Sequence, residues 1–175
     1  MYRWLLNNQE IGNLSLAPDI QTNTIILQHY ASIGDIESAE AMFDNMVTRQ
    51  SLKPDARCFL ALMNARTVKA YKSADLQERL MLCAEAKNIM DSMCKSIILK
   101  PIEKRHSYQE YLKIACSTLK FELAKGILQQ MNKEHLVPSG KTFSALLNMC
   151  ECAGDGDHAL YFLGEMIGKG MKPCA

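Results

Sequence analysis

Each of the five prolines in this sequence stands two residues after a Leu or a Met: Leu16 and Pro18, Leu52 and Pro54, Leu99 and Pro101, Leu136 and Pro138, Met171 and Pro173. The slot recurs about every 35 residues, with one longer interval. Proline lacks an amide donor and pushes the residue before it out of the α region, so a helix preceding it has ended. Prolines confined to one phase therefore punctuate a repeated unit, and internal repetition at this period is the mark of a stacked array.

Before each of the last four prolines the sequence draws an apolar stripe with helical spacing. The sets are Ala39, Met42, Phe43, Met46; Ala86, Ile89, Met90, Met93; Ala124, Ile127, Leu128, Met131; and Ala159, Phe162, Leu163, Met166. Positions i, i+3, i+4 and i+7 lie on one face of an α-helix. An earlier stripe in each unit marks a first helix: Ile26, Leu27, Tyr30; Phe59, Leu62, Met63; Tyr108, Tyr111, Leu112, Ala115; and Phe143, Leu146, Leu147, Cys150. Gly34-Asp35 and Gly154-Asp155-Gly156-Asp157 join the two helices of their units, with Gly suited to a C-cap and Asp to an N-cap. Each unit is an αα-hairpin too small to bury its own apolar face, so neighbours must stack.

The expected fold is an all-α solenoid of helix-turn-helix repeats. Residues 1–19 close an earlier, incomplete repeat, followed by repeats at 20–55 and 56–102, a two-residue connector with the third repeat at 103–139, and a fourth at 140–175. The second is longer, with its surplus around Thr67 to Leu82, read as an extended first helix or a protruding loop.

Glycine and proline are sparse, at 9 and 5 residues, which agrees with helix. The formal charge of +1 conceals a segregated distribution. Residues 1–55 carry three Lys/Arg against seven Asp/Glu, 56–139 carry fourteen against eight, and 140–175 carry three against four, so the middle is basic. Seven cysteines make no even framework, and several fall on core stripes, where a thiol packs as a small hydrophobe. The sequon Asn13-Leu14-Ser15 has no signal peptide to bring it to a glycosylation machinery. No apolar run approaches the roughly 20 residues of a membrane span, and Met1 to Gln9, with one Arg, do not form an Arg/Ser-rich presequence.

Gly154, the stripe Ala159, Phe162, Leu163, Met166, and Gly170-Met171-Lys172-Pro173 together resemble the pentatricopeptide repeat, and the first unit is similar. The tetratricopeptide repeat, close in period, carries an early Trp and a Leu-Gly pair that are absent here. The resemblance implies a right-handed superhelix whose first helices line a concave face and hold single-stranded or ribosomal RNA. It also implies a mitochondrial or chloroplast location. In that scheme the fifth residue of a unit and the residue after its proline contact a base edge. They fall on Thr24 with Asp55, Leu60 with Ile102, Gln109 with Ser139, and Ser144 with Cys174. Only the first pair looks like a reader, the family's guanine pair. The second residues, which in the family sandwich bases with aliphatic side chains, are here Gln21, Arg57, His106 and Lys141. RNA contact is therefore expected mainly through phosphates, from Arg57, Lys104, Arg105, Lys113 and Lys141, with Arg66, Lys69 and Lys72 extending the field.

Enzymatic chemistry finds little support. His29, His106, His135 and His158 show no metal-ligand spacing, and Cys150 and Cys152 are separated by one residue where paired zinc thiolates need two or more. There is no His-x-Glu with Pro-Cys-x-x-Cys of a zinc deaminase and no phosphate loop ending in Lys-Ser/Thr. Tyr108 and Tyr111 sit on a core stripe, which favours packing over base stacking. No cofactor, metal or small-molecule substrate is expected. The rival to an RNA-binding scaffold is an architectural subunit of a large organellar ribonucleoprotein such as a mitochondrial ribosome. Repeat ends left open would then be covered by protein neighbours, unless the chain is part of a longer array.

Overall fold

The computed structural model describes residues 19–172, which form eight α-helices and no strand. They are α1 (Ile20–Ile33), α2 (Ile36–Thr48), α3 (Ala56–Lys72), α4 (Leu76–Ser96), α5 (Pro101–Ser117), α6 (Phe121–Lys133), α7 (Gly140–Ala153) and α8 (Gly156–Gly168). The expectations placed on Pro18, Pro173, Cys174, the sequon at Asn13 and the opening partial repeat lie outside the described residues.

Short polar side chains start most helices. Asp19, Asp35, Asp55, Asp75 and Asp155 accept backbone N–H bonds at the N-caps of α1, α2, α3, α4 and α8, and Ser139 does so for α7. Gly34 and Gly154 end α1 and α7 in the left-handed region, with φ of 78° and 66°. Gly34 has a second reason to be glycine: a Cβ there would lie 3.1 Å from Cγ1 of Val68 on α3. The third hairpin has no glycine at its turn, and Leu119 takes the left-handed conformation instead, with φ of 55°.

The odd-numbered helices pack in a row, α1 on α3, α3 on α5 and α5 on α7, and the even-numbered helices cover that row. Core residues run through it without a break. Leu27, Met42, Met46, Met63, Leu112, Leu128, Phe143 and Phe162 are all buried, and Ile36, Phe43 and Ile89 touch both the first hydrophobic cluster and the larger one that follows. The stripes read from the sequence are thus the spine of a solenoid. Tyr108 and Tyr111 are buried in it as expected.

All turns within hairpins lie at one edge and all linkers between hairpins at the other. At the turn edge, Lys72 Nζ donates to the Ile33 carbonyl at 2.9 Å, Tyr71 to the Lys113 carbonyl at 3.1 Å and Arg79 to the Ser117 carbonyl at 2.8 Å. At the linker edge, Asn23 reaches Gln50 at 2.6 Å, Lys104 pairs with Glu134 at 2.5 Å and Lys169 donates to Asn132 at 2.6 Å.

The second hairpin differs from the protruding loop considered above. Its surplus lengthens both helices, α3 to 17 residues and α4 to 21, around the short joint Ser73 to Asp75. Residues 103 and 104, assigned to a connector, lie in the first turn of α5, which begins at Pro101. Proline is tolerated at the first helical position, where its missing N–H has no intrahelical partner to lose, and the Glu103 carboxylate accepts from the Lys100 amide at 2.8 Å.

Candidate nucleic-acid interface

The odd-numbered helices present one face to each other, one to the covering layer and one outward. On the outward face of α1, α3 and α5 lies an open groove of about 400 Å³. Its walls include Gln28, Arg57, Leu60, Asn64, His106 and Gln109, together with the Glu110 carboxylate that pairs with Lys113. Amides, an imidazole and a guanidinium above an aliphatic floor offer both donors and acceptors to a planar polar ligand. Gln109 Nε2 is buried in this wall with no hydrogen-bond partner among the described residues.

The base-contact candidates divide sharply. Gln109 lines the groove. Thr24 is 2% exposed, its hydroxyl donates to the Ile20 carbonyl at 2.6 Å, and it lies 3.4 Å from Cys58 Sγ. Asp55 stands close by, 3.4 Å from the same sulfur, but its carboxylate caps α3 and pairs with Arg57 at 2.7 Å. Burial pushes the Asp55 pKa up, and hydrogen bonds from Arg57 and Cys58 outweigh it, holding the carboxyl below its ordinary value. Ser139 caps α7, and the exposed Ser144 hydroxyl donates to the Gly140 carbonyl at 3.1 Å.

Of the phosphate candidates, Arg57 lines the groove, paired with Asp55 at 2.7 Å, and Lys141 is exposed with no ion pair among the described residues. Arg105 is half-buried, and its Nε lacks a partner among the described residues. Lys104 and Lys113 each lie 2.5 Å from a carboxylate, Glu134 and Glu110 respectively. Arg66, Lys69 and Lys72 do not extend a free field. Arg66 is 5% exposed, bonded to Glu40, Glu85 and the Leu62 carbonyl, and ties three helices together. Lys69 pairs with Glu78 at 3.6 Å, and Lys72 caps α1. Sequence reasoning missed Gln28 and Asn64, whose signal was their place one and two turns along from the selected positions on the same helix face.

Among the described residues no three His, Cys, Asp or Glu side chains converge as a metal site would require. His158 bonds Asp155 at 2.7 Å and stacks on Phe121 with ring centroids 4.2 Å apart. Burial raises the Cys116 thiol to about 12. No helix of the described residues is long and apolar enough to cross a membrane.

Residues 106–152 and 126–175 match the model of the pentatricopeptide repeat domain, and residues 24–51 match the PPR repeat. No curated protein sequence matches the chain. Among solved structures, the chain is similar to the pentatricopeptide repeat protein PPR10 in complex with an 18-nt psaJ RNA element, with a TM-score of 0.77 at 23% identity over 95% of this chain and 22% of that one. PPR10 from maize also matches, with a TM-score of 0.66 at 19% identity over 97% and 22% of the two chains. So does nuclear proteinaceous RNase P 2 from A. thaliana, with a TM-score of 0.64 at 14% identity over 88% and 32%. The chain thus spans about a fifth of the length of PPR10 and a third of that of the RNase P, and these likenesses bear on fold alone.

Proposed function

Because this chain belongs to the pentatricopeptide repeat family, we propose that it is a non-catalytic scaffold that holds single-stranded RNA along its odd-numbered helices, mainly through phosphates, in organellar RNA metabolism or translation. The carrying observation is the groove across α1, α3 and α5, where Gln109 has an unpaired amide beside Arg57, Asn64 and His106. The match to PPR10, whose structure holds an 18-nt RNA, supports this reading. A mitochondrial site of action follows the family resemblance, with the chloroplast as the alternative.

The groove offers one ordered set of polar groups, centred on Gln109. Base preference is therefore confined to the first three hairpins, and the remaining affinity is electrostatic. Gel shifts with single-stranded RNA test this. Gln109→Ala should weaken binding about tenfold, the worth of one buried hydrogen bond, and flatten the preference among homopolymers. A wild-type chain that leaves RNA unshifted at low salt would contradict the proposal.

A second reading, an architectural subunit of a ribonucleoprotein such as a mitochondrial ribosome, is favoured by Leu160 and Ile167, which are 70% and 56% exposed on α8. Co-sedimentation with ribosomal particles that survives RNA-binding substitutions would support it over the first.

A further inference from the structure

Most of the exposed basic residues without an ion pair among the described residues lie at one edge. At the first linker Arg49 and Lys53 are exposed and outside any ion pair; at the second, Lys95 and Lys100; at the third, Lys133 and Lys141. Lys172, after α8, continues the series. Some acids of this edge are engaged: Asp55 caps α3 and holds Arg57, Glu103 accepts from the Lys100 amide, and Glu134 holds Lys104. Asp44 and Glu165, near the linker ends of α2 and α8, are fewer than the seven cations, so an excess of positive charge recurs along the linkers.

We propose that the linker edge is a second contact surface, a phosphate track that carries the RNA backbone past the groove. This deepens the RNA-binding reading and rests on it. The argument for a nucleic-acid strand is geometric. Arg57, Lys141 and Arg105 lie in the first turns of α3, α7 and α5, so groove and edge share a border. Adjacent packed helices lie about 8–10 Å apart, so the linkers offer charge at a repeat that an extended polyanion can follow. The edge displays lysines on linkers and helix ends, with no exposed Phe, Tyr or Trp among the described residues there, which suits grip on phosphates rather than reading of bases.

The test is fluorescence anisotropy of the full chain with a labelled oligouridine across a salt series. Lys53→Gln/Lys100→Gln/Lys133→Gln should lower affinity at least tenfold near 0.1 M salt and reduce the log–log salt slope by about two, since each lost contact to a single strand is worth roughly 0.7. A charge-matched control on the opposite edge, Lys69→Gln/Lys120→Gln/Lys125→Gln, should leave the slope in place. Replacing the three linker lysines by Arg should retain wild-type affinity, which separates charge from any disturbance of the fold. If the linker variant binds as tightly as wild type, or the control loses as much, the edge proposal is overturned while groove binding stands. If the wild type binds no oligouridine, both readings fall. Binding to phosphatidylserine vesicles in the absence of RNA binding would assign the edge to lipid and overturn the proposal.

Discussion

The two edges of the solenoid are both rich in lysine and arginine, yet they use them in opposite ways. On the turn edge Arg66 bridges Glu40 and Glu85, Lys69 pairs with Glu78, Lys113 with Glu110 and Lys125 with Glu122, while Lys72 and Arg79 cap carbonyls of neighbouring helices. Lys120 is the exposed cation there without a bond among the described residues. On the linker edge the cations outnumber the acids able to hold them. Most basic residues on the turn edge are thus part of the fold, whereas on the linker edge only some, such as Lys104 and Lys169, are bonded and the rest are available to a partner. Net charge along the chain does not reveal this, because both kinds occur in the same basic middle segment.

The comparison breaks most visibly at Arg66. Arg66→Ala should cost about 3 kcal/mol in urea unfolding, because it removes a buried guanidinium and leaves two carboxylates from different hairpins close together. Lys100→Gln on the other edge should stay within about 0.5 kcal/mol of wild type. A loss at Lys100 as large as that at Arg66 would erase the distinction.

The turn edge can be sharpened at its left-handed residues. Gly34→Ala should destabilise by about 2 kcal/mol, since it combines a positive φ with the 3.1 Å approach to Val68. Gly154→Ala, with open space around its Cβ position, should lose only about 1 kcal/mol. Leu119→Gly should go the other way and stabilise by roughly 0.5 kcal/mol, by relieving a left-handed leucine. Thermal or urea melts of the three variants check the order.

Acid should act more gently and on both edges. Asp35 and Asp155 are held below the ordinary carboxylate value by Ser38 and His158. For Asp55 and Glu134, burial pushes up, but hydrogen bonds, led by Arg57 and Lys104 respectively, win. Groups with depressed folded pKa values contribute stability that is present above their unfolded values, near 3.8 and 4.5, and is lost as pH falls through the folded ones. The urea midpoint should hold level from neutral pH to about 5 and decline below about 4, and Asp55→Asn should decline less. A midpoint that rises on acidification would reverse the sign.

Much of the architecture could be read before any coordinates. The stripes through Met42, Met90, Leu128 and Phe162 have helical spacing, and proline marks the linkers, so hairpins and their stacking follow from local chemistry. The lengthened second hairpin is ambiguous in sequence, because a charged stretch from Thr67 to Leu82 fits a protruding loop as well as an extended first helix with a solvated outer face. The interface was the harder part. Odd-numbered helices are covered on several sides, so periodicity cannot tell which side the next hairpin hides, and Thr24 is buried by α3 where a groove position was expected. Long-range pairs such as Lys104 with Glu134 and Arg66 with Glu40 likewise appear only once the repeats are stacked.

Lysine acetylation footprinting with and without single-stranded RNA tests the contrast between the edges most directly. RNA should protect Lys53, Lys100 and Lys141, with Lys120 reacting equally in both states. Protection of Lys120 with the linker lysines unchanged would contradict it.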